Sequence, residues 1–143
     1  MLPEPRMVWM PGQVRTEVHL GAEETDGAFC LLVDHPPAGW RLPAHLHRGI
    51  AETIHVLDGQ FEMTVDGQSY GLSAGQTLHV PPDTVHAGGN VGDAPGRRVL
   101  IFTPAGMENF FLESGAPSPE DEADPRAALA SALRHGWEFV AEG

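Results

Sequence analysis

The chain has 143 residues, a length typical of one domain, and a formal net charge of −12 from 20 acidic residues and eight arginines with no lysine. Such a negative field repels phosphate backbones and anionic lipids, so we expect neither nucleic acid nor a membrane surface as a partner. The absence of lysine excludes Schiff-base chemistry, and the single cysteine, Cys30, excludes an intramolecular disulfide.

The N-terminal residues show no basic region followed by an apolar stretch, and no apolar run approaches membrane-spanning length. We therefore expect a cytoplasmic protein. Cys30 lies within the apolar run 29–33, and we interpret it as a buried, inert thiol.

Short β-branched or aromatic runs, separated by Gly, Pro and Asp-Gly pairs, extend over about residues 7–103. This pattern predicts an all-β barrel or sandwich. Two Asp-Gly pairs, Asp58-Gly59 and Asp66-Gly67, are typical of two-residue hairpin turns and bracket a predicted strand at Gln60–Val65. After residue 103 we predict a helical segment at about 104–140.

Within that segment, residues 104–112 are compatible with a short helix that carries aromatic side chains onto the barrel. A second helix is predicted from about Pro125 to His135, because Asp124 before a proline is a good helix start and Gly136 can end the helix. We expect residues 1–143 to form a single domain.

Two histidines and a glutamate are the first candidates for chemistry. His45 and His47 are two positions apart on a predicted strand, which places both imidazoles on one face. Glu52 follows after four residues, and a hairpin loop over residues 48–51 would set it opposite His47 on that face. Three candidate metal ligands then come from one hairpin.

A hairpin turn at Asp58-Gly59 gives independent evidence on which face of the strand with Glu52 is buried. A two-residue loop there places Glu52 on an apolar inner face, where a carboxylate is costly unless it is paired or binds a metal. The same alternation sends His55 outward, whereas the face of His79 stays open, including a position behind the metal ligands. The inner-face residues predicted to form a substrate pocket are Ile54, Val56, Phe61, Met63, Val65 and Tyr70.

Two spaced motifs resemble those of the cupin superfamily. The first runs through Gly39, five residues, His45-Leu46-His47, four residues, Glu52, six residues and Gly59. The second runs through Gly75, five residues, Pro81, one residue, Asp83, two residues, His86, three residues and Asn90. Asp83 stands where the family usually has glycine, and aspartate tolerates the positive φ that a turn there requires.

The resemblance implies a cupin jelly-roll β-barrel (double-stranded β-helix) with short C-terminal helices. It also implies a metal held by three histidines and one glutamate, and it adds the fourth ligand that spacing alone does not identify. The implied ligands are His45, His47, Glu52 and His86.

The segment 102–111 is similar to single-domain bacterial cupins that resemble quercetin dioxygenases. This implies a dioxygenase that acts on a small aromatic or enolic molecule, with Glu52 as the catalytic proton acceptor. We expect one divalent transition metal, with Fe2+ favoured and with Mn2+, Ni2+, Co2+ and Zn2+ also compatible with such ligands. The alternative is a non-redox isomerase or lyase, or a cupin that binds metal and a small ligand without catalysis. A homodimer is expected, through the candidate strand Met7–Met10.

Overall fold

Two antiparallel β-sheets enclose one hydrophobic core in the computed structural model, which describes residues 2–141. The larger sheet has, in spatial order, the strands β1 (Arg6–Met10), β2 (Val14–Leu20), β3 (Cys30–His35), β10 (Arg97–Thr103), β5 (Ala51–Asp58) and β8 (Thr77–Val80). The smaller sheet has the strands β11 (Trp137–Phe139), β4 (Arg41–His47), β9 (His86–Asn90), β6 (Gln60–Val65) and β7 (Gln68–Ser73). Three helices accompany them: α1 (Ala22–Thr25), α2 (Met107–Ser114) and α3 (Pro125–Arg134).

The strand order is that of a jelly roll. Strands β3, β10, β5 and β8 form one four-stranded layer, and strands β4, β9, β6 and β7 form the other. The chain passes between the layers repeatedly, which gives the two Greek keys of this fold. Strands β1 and β2 extend the first layer, and β11 extends the second. The predicted all-β jelly roll with short C-terminal helices is confirmed.

One of the two hairpins predicted at Asp-Gly pairs is present. Asp66 and Gly67 have φ values of 50° and 80°, as a type I′ turn requires at both central positions. The register that follows pairs Met63 with Tyr70. Strand β6 covers the predicted range Gln60–Val65.

The other predicted hairpin, at Asp58-Gly59, is wrong. Strand β5 pairs with β10 and β8 in the larger sheet, whereas β6 pairs with β7 and β9 in the smaller one. Only Gly59 of the pair has a positive φ, 99°, so the segment is a corner between layers. Glycine is needed because a Cβ at Gly59 would lie 3.0 Å from the Cα of Gly96. The predicted hairpin over residues 48–51 is wrong for the same reason, since β4 and β5 belong to different sheets.

The residues predicted to face inward on β5 and β6 are buried although these strands do not pair with each other. Ile54, Val56, Phe61 and Met63 are each exposed by 3% or less. Side chains alternate along a strand whichever strand lies beside it, so the period alone selects the buried set. Cys30 is also fully buried, and burial, aided by the charge of Glu108, raises the pKa of its thiol to about 12. The predicted burial of this cysteine is thereby confirmed, and a raised pKa accords with an inert thiol.

The C-terminal segment is helical only in part. The helix predicted at about Pro125 to His135 is present as α3, and the Asp124 carboxylate accepts a hydrogen bond of 3.0 Å from the backbone N–H of Arg126. Residues Trp137–Phe139, however, form a strand that pairs with β4, so a helical segment to about residue 140 is wrong. No helix among residues 2–141 has the length and apolar character that a membrane span requires.

Strand β1 lies at an edge of the larger sheet, where the homodimer is expected to form. Trp9 and Ala116 exchange two backbone hydrogen bonds of 2.9 Å, which covers the C-terminal half of this edge. Strand addition is therefore limited to the half that contains Met7, which is 37% exposed.

We predict a dimer mass by light scattering at micromolar concentration, and a monomer mass for Met7→Pro, because proline removes the edge amide at this position. A wild-type monomer at that concentration would contradict the predicted homodimer.

Candidate metal centre

Three buried imidazoles converge on the inner face of the smaller sheet. His45 and His47 lie on β4, and His86 lies on the neighbouring strand β9, directly opposite His45 in the register. One ring nitrogen from each histidine lies within 4.8 Å of the others. The three side chains are exposed by 3% or less, so water does not solvate them freely.

A β-bulge in β4 positions His45. Leu42 pairs with Gly88 and His45 pairs with His86, so β4 carries one extra residue between these pairs. Pro43 lies in the bulge and has no N–H to donate to the ladder. Leu42 and His45 both contact the interior cavity although they are three residues apart.

Backbone carbonyls orient two of the imidazoles. Nδ1–H of His45 donates to the carbonyl of Pro43 at 2.7 Å, and Nδ1–H of His86 donates to the carbonyl of Thr84 at 2.9 Å. In each ring Nε2 is then left as the metal-binding nitrogen. Burial, with a contribution from the neighbouring His86, lowers the pKa of His45 to about 3, so this imidazole is neutral as a metal ligand must be.

His47 provides the strongest test of whether a metal fits. Neither of its ring nitrogens makes a well-aligned hydrogen bond among residues 2–141, although both are buried and Oε1 of Glu52 lies 3.3 Å from Nε2. A buried polar group without a partner is costly. A cation bound between the three imidazoles removes this cost for Nε2, so the residues present fit a divalent metal.

Glu52 approaches the cluster from the opposite sheet. Its Oε1 lies 3.3 Å from Nε2 of His47 and 3.2 Å from Nε2 of His86. Burial alone raises the pKa of Glu52, but these two imidazoles outweigh burial and lower the pKa below its usual range. Glu52 is therefore an anion in contact with two of the three imidazoles. The structure brings together all four implied ligands, and the ligand set itself is a prediction for metal analysis.

The turn at Asp83 holds the β4–β5 connection. Asp83 has a φ of 60°, so aspartate adopts the conformation for which the family usually has glycine. Its side-chain Oδ1 accepts from the backbone N–H of Gly49 at 3.0 Å, and its own N–H donates to the carbonyl of His47 at 3.0 Å. The aspartate thus fixes the end of the strand that carries two candidate ligands.

A cavity of about 390 Å³ adjoins the cluster, and His45, His47 and Glu52 form part of its wall. The size is that of a small-molecule site. Most of the wall is apolar, with Leu100 and Phe102 from β10 and aromatic side chains from the C-terminal elements.

The predicted pocket wall is wrong for this cavity. Four of the six predicted residues fill the core between the sheets with their own side chains, and Val65 is half-buried beside His86. Tyr70 is 37% exposed, because β7 is the edge strand of the smaller sheet. The residues that do not line the cavity are Ile54, Val56, Phe61, Met63, Val65 and Tyr70.

Trp137 is a site residue that the sequence analysis missed. Its ring stacks on His45 with centroids 4.7 Å apart and meets His47 edge to face at 4.6 Å. Its indole N–H donates to Sδ of Met107 at 3.1 Å, which ties strand β11 to helix α2. The only sequence signal was the alternation of Trp137 and Phe139 after Gly136, which is too short to predict a strand.

A buried ion pair in the same cavity was also missed. The Arg98 guanidinium donates from Nε to Oδ1 of Asp34 at 3.0 Å and from Nη2 to Oδ2 at 2.7 Å. Burial alone lowers the pKa of Arg98, but Asp34, with a smaller contribution from Glu52, outweighs burial and raises it. The sequence signal for this pair was one acidic residue in the apolar run 30–34 and one basic residue in the apolar run 98–102.

His55 and His79 face away from the cavity. A hydrogen bond of 2.7 Å joins His55 to Thr77, and one of 2.9 Å joins His79 to Thr53, both on the outer face of the larger sheet. The outward prediction for His55 is confirmed. A position of His79 behind the metal ligands is excluded.

Comparisons with known proteins agree with this geometry. The cupin domain family matches residues 31–102. The polyketide synthase CurC of Streptomyces cyaneus is 36% identical over 109 residues, which are 75% of this chain and 68% of that protein. The quercetin 2,3-dioxygenase of Bacillus subtilis is 36% identical over 95 residues, which are 66% of this chain and only 28% of that enzyme.

Solved structures show the same fold at lower identity. A predicted oxalate decarboxylase from Thermotoga maritima superposes with a TM-score of 0.63 at 19% identity, over 71% of this chain and 92% of that chain. An RmlC-like cupin from Shewanella frigidimarina gives 0.62 at 22% identity, over 73% and 88% of the two chains.

Proposed function

Because the chain belongs to the cupin family, we propose that it is a metal-dependent dioxygenase that acts on a small aromatic or enolic molecule. The observation that carries the proposal is the cluster of three imidazoles and Glu52 beside an apolar cavity, whose wall includes His45, His47 and Glu52. Such a centre can bind a metal and leave coordination positions open toward a substrate. The match to a quercetin 2,3-dioxygenase supports the oxidative reaction class, although the chain spans about a quarter of that enzyme.

The protein's own residues have separate roles in this proposal. His45, His47 and His86 hold the metal, which when bound supplies a Lewis acid and, if it is Fe2+, a redox centre for oxygen. The Glu52 carboxylate accepts the hydroxyl proton as a phenol or enol binds. Stacking of Trp137 keeps the His45 ring in place, and the apolar wall at Phe102 keeps bulk water from the reacting atoms.

The second candidate is a non-redox function of the same centre, as an isomerase, a lyase or a binding protein. It is favoured by the relative CurC, which shares a larger fraction of its own length with this chain than the dioxygenase does. Imidazole and carboxylate ligands also accept the redox-inert ion Zn2+. Both candidates predict a metal and a small ligand, and they differ in whether oxygen is consumed.

Oxygen uptake distinguishes them. Protein reconstituted without air with Fe2+, Mn2+, Ni2+ or Co2+ is expected to consume oxygen with a flavonol, catechol or β-diketone faster than the free metal does. Glu52→Gln should retain part of the metal and lose turnover by about 100-fold or more, because an amide binds metal weakly and cannot accept the proton. Glu62→Gln, an exposed change on the outer face of β6, is the matched control and should leave turnover unchanged.

If all four forms consume oxygen no faster than free metal while a sugar or keto acid raises the melting temperature, the dioxygenase proposal is wrong. The non-redox candidate then replaces it.

A further inference from the structure

The Arg98–Asp34 pair lies on the wall of the cavity, most of which is apolar. Both side chains are buried, with residue exposures of 4% each. A buried ion pair is seldom more stabilising than apolar residues of similar volume, because both charges lose their hydration. An ion pair that contacts an apolar cavity therefore invites a functional explanation.

The guanidinium is rigidly presented to the cavity. Arg98 lies between two aromatic rings, with its central carbon 4.8 Å from the centroid of Trp40 and 5.1 Å from that of Phe61. Asp34 engages Nε and Nη2, so Nη1 lies on the side of the guanidinium that Asp34 does not contact. Its N–H groups are preorganised donors for an oxygen atom of a ligand.

The spacing of residues along strand β10 indicates the length of a ligand that extends from the candidate metal centre to Arg98. Arg98, Leu100 and Phe102 line the same wall, and Phe102 is opposite Glu52 in the register. Four residues of strand separate the backbone of Arg98 from that of Phe102 by roughly 13 Å. A ligand that spans a distance of this order is a rigid molecule of two linked or fused rings rather than a single six-membered ring.

The sum of the charges in the cavity indicates which kind of polar group a ligand can place beside Arg98. A divalent metal and Arg98 together carry three positive charges, and Glu52 and Asp34 carry two negative charges. A catechol or enol that binds the metal as a monoanion leaves the cavity neutral once Glu52 has passed the accepted proton to solvent and is again a carboxylate. A second anionic group would be buried without a counter-charge, which is costly. A neutral oxygen acceptor only needs the N–H donors that Arg98 offers.

We propose that Arg98, held by Asp34, is a specificity-determining residue that binds a neutral carbonyl oxygen at the far end of a two-ring ligand whose hydroxyl end binds the metal. This inference rests on the proposed use of the site for small aromatic or enolic molecules. It adds to that function the length of the ligand and the chemical character of its second polar group.

The test uses three matched ligands and protein loaded with Zn2+, which is redox-inert, so that binding is measured without turnover. The ligands are 3,4-dihydroxybiphenyl and its 4′-acetyl and 4′-carboxylate derivatives, titrated by calorimetry. We expect the acetyl compound to bind about 10- to 100-fold more tightly than the parent, as a hydrogen bond to a charged donor allows. The carboxylate should bind no more tightly than the parent.

The variant Asp34→Leu/Arg98→Met replaces both charges and should bind the acetyl compound and the parent with affinities within about 2-fold of each other, because no donor remains. Arg97→Gln, an exposed neighbour on the same strand, is the control and should keep the full preference. The comparison of ligands on the wild-type protein decides the question even if the double variant does not fold.

Each contrary result has a distinct meaning. If the parent binds only in the presence of metal and the acetyl group adds nothing, the role of Arg98 is refuted and the proposed function stands. If the carboxylate binds most tightly, the neutral-acceptor class is refuted. If none of the three ligands shows metal-dependent binding, this inference is refuted, and the oxygen-uptake experiment decides the proposed function separately.

Discussion

Replacement of His86 by alanine is expected to lower the affinity for divalent metal by more than about 100-fold. This loss is larger than the loss of affinity typical when a residue that only hydrogen-bonds a metal ligand is replaced. His86 is the candidate ligand on strand β9, and its Nδ1–H donates to the carbonyl of Thr84. No other side chain on β9 can replace the imidazole, because its other residues are Ala87, two glycines and Asn90, whose amide is bound to Pro36 and Ala94. Metal content after dialysis and competition with a chelator measure the loss.

His79→Ala and His55→Ala are the matched controls for this experiment. Both imidazoles lie on the outer face of the larger sheet and contact threonine hydroxyls. Their removal should change metal affinity by less than about 2-fold, since they contact neither the metal nor its ligands. An equal loss of metal in His86→Ala and His55→Ala would contradict the placement of the centre on the inner face.

Asp34→Leu is expected to lower the free energy of unfolding by about 3–5 kcal/mol, because it leaves the Arg98 guanidinium buried without a counter-charge. Both members of the pair are 5% exposed in their side chains, so water cannot compensate. For a chain of this length the change corresponds to a fall in melting temperature of roughly 10–15 °C. Urea denaturation of the metal-free protein, followed by tryptophan fluorescence, gives the free energy directly.

The double variant Asp34→Leu/Arg98→Met completes the cycle. It should recover most of the lost stability, since apolar residues can replace a buried ion pair with little or no penalty. Arg97→Met, an exposed change one residue away, should alter the free energy of unfolding by less than about 0.5 kcal/mol. If Asp34→Leu is as stable as the wild type, the pair is not buried as described.

The C-terminal elements lie outside the segment that matches the family. Helix α3 and strand β11 place Ala128, Leu129, Ala132 and Trp137 on the cavity wall. The candidate metal ligands therefore come from the barrel that matches the family, whereas part of the cavity wall comes from a segment outside that match. Differences in substrate among related barrels can arise in such segments without any change at the metal.

The sequence by itself determined which side chains of each strand face inward. The period of two belongs to the single strand, so Glu52 and Ile54 are buried whichever strand pairs with β5. The Asp66-Gly67 hairpin was also predictable, because a two-residue turn is a local structure. The four implied ligands followed from the spacing of two family motifs.

Only the tertiary structure decided which strands are neighbours. An Asp-Gly pair is compatible with a hairpin turn and with a corner between sheets, and the contact of Gly59 with Gly96 selects the corner. Because Gly96 is 37 residues away along the chain, no local pattern near Gly59 reports that contact. The same holds for Trp137 on His45 and for Arg98 beside Asp34, whose partners lie 92 and 64 residues away. The sequence alone thus specifies which side chains of a strand face inward. The packing of the two sheets decides which of these side chains contact each other around the cavity.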